Sequence, residues 1–149
     1  MLRPAVRRKN KKRVLVGYSG KPLILKLGIK PGSRLGVFDA PPGFETTLGT
    51  LPEGVTKTTT LRGSHDIVLL FTNSKKSLER RFDEVAKVVA PAGSFWISWP
   101  KKTSSVSSGL DENVVRAVGL NRGWVDIKVC AVDEIWSALK FVTRLSNRV

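Results

Sequence analysis

Apolar and polar positions fall into blocks whose period changes along the chain. His65-Asp66-Ile67-Val68-Leu69-Leu70-Phe71 is a nearly continuous apolar run, the pattern of a strand buried on both faces of a parallel sheet. Arg34–Phe38 reads as an earlier strand, and residues 94–99 as a later one. Between them Leu78, Phe82, Val85 and Val89 recur at helical spacing. They predict a helix that opens at Ser77 and is ended by Pro91-Ala92-Gly93. Short helices are predicted over Leu23–Leu27, opened by Pro22 and closed by Gly28, and over Phe44–Leu48. A further helix is predicted over 111–118, closed by Gly119. Residues 124–132 and 137–145 read as strands joined by Asp133-Glu134-Ile135-Trp136, a connection too short for a parallel crossover, so the pair is antiparallel.

Strands alternating with helices predict a three-layer α/β domain with a mostly parallel sheet and a C-terminal antiparallel hairpin. One segment resists this scheme. Residues 55–61 are rich in threonine, which favours strand. Only Arg62 to His65 separate them from the next strand, whereas a parallel crossover normally takes about a dozen residues. A short edge strand, an irregular segment and an antiparallel strand all remain open.

Length and charge then narrow the picture. A chain of 149 residues with 41% hydrophobic positions supports one domain with a proper core. The lone Cys130 excludes an internal disulfide and suggests a reducing compartment. The apolar runs are too short for a transmembrane helix. After the basic start only Val14-Leu15-Val16 precedes Gly17, too little for the apolar part of a signal peptide. The expectation is a cytoplasmic protein. Of the formal charge of +14, seven units come from Arg3, Arg7, Arg8, Lys9, Lys11, Lys12 and Arg13, with no acid among residues 1–13. Residues 1–16 are expected to form a disordered basic tail, and 17–149 the single domain. Arg7, Arg8, Lys9, Lys11, Lys12 and Arg13 are candidate contacts to nucleic acid or another polyanion.

Two segments resemble the class I methyltransferase fold. "LGIKPGSRLGVFDAPPG" (27–43) is similar to that fold's lead-in turn, first strand and cofactor loop. "DEVAKVVAPAGSFWISWP" (83–100) is similar to its helix, turn and fifth strand. More closely, the chain from Gly17 to Leu145 resembles domain-of-unknown-function family 3052, a bacterial family. The segments that carry this are "GYSGKPLILKLGIKPG", "APPGFETTLG", "LPEGV", "HDIVLLF", "WPKK" and "DIKVCAVDEIWSALKFV". The resemblance implies a Rossmann-like fold, reduced relative to a full methyltransferase, because the third strand and its helix have no room. It brings no established activity.

Against that scaffold the cofactor signatures are broken. A methyltransferase-like loop uses successive glycines so that backbone approaches cofactor. Here Pro41 and Pro42 each remove an N–H, and only Gly43 remains. Where an acid usually holds the ribose hydroxyls, the chain reads Thr58-Thr59-Thr60-Leu61-Arg62. No cofactor is therefore expected, with S-adenosylmethionine as the alternative. The carboxyl ends of the strands should still face one crevice, where open α/β sheets bind ligands. Candidate ligand contacts there are Asp39, Pro42, Gly43, Phe44, Thr72, Asn73, Trp99, Lys101, Lys102, Asp133 and Trp136. The lysines favour an anion, and the two tryptophans a flat ring.

The remaining chemistry-bearing residues are read as structural. His65 belongs to a turn at the opposite sheet edge. Cys130 is core, with no cationic neighbour to activate it. One Cys and one His form no zinc set. Gly17-Tyr18-Ser19-Gly20-Lys21 lacks Walker spacing and is read as docking the N-terminal arm. The leading functional expectation is a non-catalytic module that binds an anionic or nucleotide-like ligand. The alternatives are a methyltransferase with an altered loop, with Asp39 or Asp133 as acid or base, and a structural protein whose crevice is packed shut.

Overall fold

The computed structural model describes residues 21–104, 106 and 108–144. The basic tail with Arg7, Arg8, Lys9, Lys11, Lys12 and Arg13, and the turn at 17–20, lie outside the described residues. The elements run α1 (Leu23–Leu27), β1 (Arg34–Phe38), α2 (Phe44–Leu48), β2 (Thr56–Thr58), β3 (His65–Phe71), α3 (Lys75–Ala86), β4 (Val89–Pro100), α4 (Glu112–Asn121), β5 (Trp124–Ala131) and β6 (Trp136–Thr143). The six strands form one sheet in the order β2-β1-β3-β4-β6-β5. Pairing is parallel from β2 through β4 and antiparallel where β6 meets β4 and β5. No helix among the described residues is long and apolar enough to cross a membrane.

Two cores lie on the two faces of the sheet. The first packs Leu78, Phe82 and Val85 of α3 and Val115 and Val118 of α4 against Phe38, Phe95, Ile97 and Phe141. The second packs Leu23 and Leu27 of α1 and Phe44 and Leu48 of α2 against Leu35, Leu69, Phe71 and Trp96. The continuous apolar reading of β3 follows from this: Val68 and Leu70 enter one core, and Ile67, Leu69 and Phe71 the other. The buried Trp96 indole N–H has no hydrogen-bond partner among the described residues.

The segment at 55–61 resolves into a three-residue edge strand parallel to β1. Its short link to β3 is possible because β1 lies between them and β2 is so brief. Thr58 and Val68 both pair with Gly36, so the return from the end of β2 to the start of β3 at His65 is only about 10 Å along the strands. Residues 59–64 must span two strand spacings, about 10 Å, and six extended residues reach about 20 Å. Gly36 leaves room for the side chains of Phe38 and His65. A Cβ there would meet Phe38 Cε2 at 2.9 Å and His65 Cδ2 at 3.3 Å. His65 closes the turn through Nε2 and the Arg62 carbonyl, 2.8 Å apart. No strand lies beyond β2 among the described residues.

Several predicted boundaries move. The helix expected from Ser77 begins at Lys75, because the Ser74 side chain caps it by accepting from the Ser77 amide at 3.1 Å. Val89 leaves the helical stripe and starts β4, paired with His65. Pro91-Ala92-Gly93 then forms an irregularity inside β4 rather than a stop, where a Cβ on Gly93 would lie 2.9 Å from the Asp66 carbonyl oxygen. The strand expected over 94–99 is correspondingly longer. Gly119 does not close α4 but sits inside it, buried, where an added Cβ would fall 2.2 Å from Phe141 Cε1. The last two strands run 124–131 and 136–143, with Trp136 as the first residue of β6. A register shift between Asp126 and Lys128 makes Ile127 a bulge on edge strand β5.

Helix α4 is tied to β5 by Arg116, whose Nε donates to Asp126 Oδ2 at 2.8 Å while Nη2 bonds Glu112. The Arg116 guanidinium holds the Asp126 carboxyl below its ordinary range. A depressed folded-state value stabilises the protein above the unfolded value and is lost as pH falls through the folded one. Asp126→Asn should therefore cost up to about 1 kcal/mol at neutral pH. Its unfolding midpoint should converge on the parent's as pH drops below about 4. Parallel urea melts at pH 7 and pH 3 check both points, and a gap that widens in acid would contradict them.

Candidate functional site

The carboxyl ends of β1, β3, β4 and β5 share one edge, and the sequence-predicted residues gather along it. β1 ends at Phe38, after which Asp39 adopts a left-handed φ of 60°. That conformation turns the carboxylate toward α3, where Arg81 grips it from Nε at 2.9 Å and Nη2 at 3.2 Å. Arg81 also pairs with Glu84. Asp39 is thus part of a fixed ion cluster. Arg81 is a residue that sequence reasoning missed. Its spacing from Asp39 in the chain gives no signal, and only the β3–α3 connection brings it there.

Beyond Asp39 the two prolines lead into a tight turn closed by the Phe44 amide on the Pro41 carbonyl at 3.2 Å. Gly43 has φ 83°, and nothing lies within 4 Å of a Cβ built on it. Pro42 is exposed. Phe44 folds under the turn at 2% exposure, its ring 4.9 Å from Phe71 and edge-on. Phe71 meets Trp136 in the same way at 5.1 Å. These three rings form the roof of the second core beneath the strand ends.

The position that would hold ribose hydroxyls is also committed to local structure. At the end of β2 the Thr58 and Thr60 hydroxyls lie 3.0 Å apart, and the Thr60 amide donates to Thr58 Oγ1 at 3.2 Å.

Other predicted residues separate by role. Thr72 is buried and its amide donates to the Ser98 carbonyl at 2.9 Å, while Asn73 is exposed. Trp99 is buried in the first core and Trp136 packs on the second, so they lie on opposite faces of the sheet. One flat ring stacked on both at once is therefore geometrically excluded. Asp133 organises the β5–β6 turn, its Oδ1 accepting from the Ile135 and Trp136 amides at 2.8 Å each. Those bonds are an Asx-type turn and explain its place there. The Lys101 amide donates to the Ile135 carbonyl at 2.7 Å, so the chain leaving β4 is stitched to the hairpin.

Lys102 reaches Asp111 Oδ2 at 3.4 Å. Asp111, unnoticed as a site residue in the sequence, also caps α4 by accepting from the Val114 amide at 2.8 Å. That amide first, and Lys102 after it, lowers the Asp111 pKa. A cleft of about 370 Å³ opens here, lined by Pro100, Lys102, Ser104, Leu110 and Asp111 among others. Its size is within the usual range for small-ligand sites.

His65 stands at the edge opposite the crevice, paired with Val89. Cys130 does have cationic neighbours, Lys26 and Lys128, contrary to the sequence reading. Burial outweighs them and pushes the thiol pKa up, away from thiolate character. Among the described residues no group of three His, Cys, Asp or Glu is placed to hold a metal ion.

No protein-family model matches the chain, and no curated protein matches it. Solved structures do. The fold is similar to a SAM-dependent methyltransferase from Aquifex aeolicus, with TM-score 0.59, 10% identity, and coverage of 84% of this chain and 89% of that one. It is similar to the N-methyltransferase NodS from Bradyrhizobium japonicum WM9, with TM-score 0.52, 13% identity, and coverage of 79% and 90%. It is also similar to magnesium protoporphyrin IX methyltransferase from Synechocystis PCC 6803 with bound SAM, with TM-score 0.52, 10% identity, and coverage of 82% and 74%. At these identities the likeness establishes a class I methyltransferase-like α/β fold.

Proposed function

We propose that this methyltransferase-like scaffold serves as a binding module for a small anionic or nucleotide-like ligand, seated at the carboxyl edge beside Lys101 and Lys102. The observation that carries the reading is the cleft between the end of β4 and the start of α4. It places Lys102 and the Ser104 side chain around a ligand-sized opening. The broken cofactor signatures support it from the other side. Asp39 is bound to Arg81, Pro41 and Pro42 offer no N–H, and the end of β2 offers threonines in place of an acid. The basic residues at 3–13 add polyanion affinity to the same protein. The segments "WPKK" and "DIKVCAVDEIWSALKFV" support placing the chain with domain-of-unknown-function family 3052; they fall on the end of β4 and across the β5–β6 hairpin.

A second reading, a methyltransferase with an altered loop, is favoured by one observation: Gly43 keeps a left-handed φ with open space above it. SAM is the cofactor of that reading.

Titration calorimetry with S-adenosylmethionine and with ATP, each at moderate and high salt, separates the two. The expected result is ATP binding that Lys102→Gln weakens about fivefold, the worth of one exposed charge contact near 1 kcal/mol. Stoichiometric S-adenosylmethionine binding that survives high salt would replace the binding-module reading with the enzyme one.

A further inference from the structure

We propose that the β5–β6 half of the sheet, on the face turned away from α4, is a docking surface for the phosphodiester backbone of nucleic acid, centred on Lys128 and Lys140. The two residues are direct antiparallel partners. Opposite residues stand on one face with Cβ atoms about 5 Å apart, and like charges so placed repel. No ion pair engages either lysine among the described residues. Burial, and then the charge of Lys128, lowers the Lys140 pKa. A bound phosphate relieves both costs at once.

The surroundings have one sign. Register places Val125, Cys130, Ala138 and Val142 on the same face, none of them acidic. The nearest acid of β5, Asp126, stands opposite Phe141 on the other face and is held by Arg116. Helix α4 packs on that other face, through Gly119 against Phe141. On the lysine face α1 reaches β5 through Lys26, whose Nζ donates to the Ala131 carbonyl at 3.1 Å. The seven bases of residues 3–13 join the described structure at Lys21, at the foot of α1. They belong to the same chain as the lysine pair, so a polyanion long enough to reach both gains effective concentration from the linkage.

Charge with little apolar surface favours nucleic acid over a membrane: among the described residues of β5 and β6 the large apolar side chains left exposed are Ile127, at the bulge, and Val129. Val125 and Val142 are half-buried, and the exposed Val129 faces the other way, opposite Leu139. Membrane-surface binding would call for an exposed apolar face among the charges.

This inference extends the polyanion part of the proposed function and leaves the crevice aside. The test is fluorescence anisotropy of a labelled, mixed-sequence single-stranded oligonucleotide against the full chain over a salt series. Lys128→Gln with Lys140→Gln should lower the slope of log affinity against log salt by about 1.4, at about 0.7 per lost phosphate contact. Its unfolding midpoint should hold or rise, since a repulsive pair is removed. Deleting residues 2–13 should lower the slope separately. If only that deletion has no effect, the tail's role fails and the sheet surface stands. A wild-type slope in the double variant overturns the surface, as does an equal loss in the charge-matched control Lys76→Gln with Lys87→Gln. Lysine-dependent binding to phosphatidylserine vesicles but not to the oligonucleotide overturns it in favour of a membrane.

Discussion

Phe44→Ala is expected to lower the unfolding free energy by about 3–5 kcal/mol, the cost of deleting a fully buried aromatic ring. The ring is 2% exposed and stacks edge-on against Phe71, which continues to Trp136. Its loss would leave a void beneath the Asp39–Gly43 turn and unsettle the whole carboxyl edge. Total stabilities of single domains are only about 5–15 kcal/mol. The variant should therefore unfold at a much lower urea concentration with an unchanged slope, while Phe44→Leu keeps most of the packing. A cost under about 1 kcal/mol would mean that the ring is not a structural plug, and the crevice would have to be regarded as open there.

Gly119→Ala should also destabilise, and the sign is the informative part. In an exposed helix this exchange stabilises by about 1 kcal/mol. Here the new Cβ would sit 2.2–2.8 Å from three atoms of the Phe141 ring, which is itself fully buried and faces Phe82. Overpacking of that kind costs about 1–3 kcal/mol and occasionally more. The net expectation is a loss of up to about 2 kcal/mol, measured by denaturant melts. Pairing Gly119→Ala with Phe141→Leu should cost clearly less than the two single losses added, because the smaller side chain yields the space. An unfolding midpoint above the parent's for Gly119→Ala would refute the close helix–sheet contact.

Local pattern made the strongest elements legible. The β3 run declares itself because every residue from Ile67 to Phe71 enters one of two cores. The stripe of Leu78, Phe82 and Val85 does the same for α3. What misled was punctuation. Gly119 reads as a stop because glycine usually ends helices, yet here it is chosen for the missing side chain that lets α4 meet Phe141. Pro91-Ala92-Gly93 reads as a break, but it is an irregularity inside a long strand, with Gly93 against the Asp66 carbonyl. In the site, the residue types were visible and their partners were not. Asp39 looked available until the fold brought Arg81 from 42 residues away. Trp99 and Trp136 looked like a pair until the strand pleat sent them to opposite faces.

Both margins of the sheet bear on how the protein behaves in a crowded solution. An exposed strand edge is an invitation to a neighbouring chain, and open sheets must refuse it somehow. Among the described residues one margin, β2, is three residues long, too brief to template a ladder. The other, β5, is long, but its bulge at Ile127 breaks the repeat of donors and acceptors, and Lys128 follows at once. The irregularity in the hairpin thus interrupts the ladder that a neighbouring chain would have to extend along the long margin.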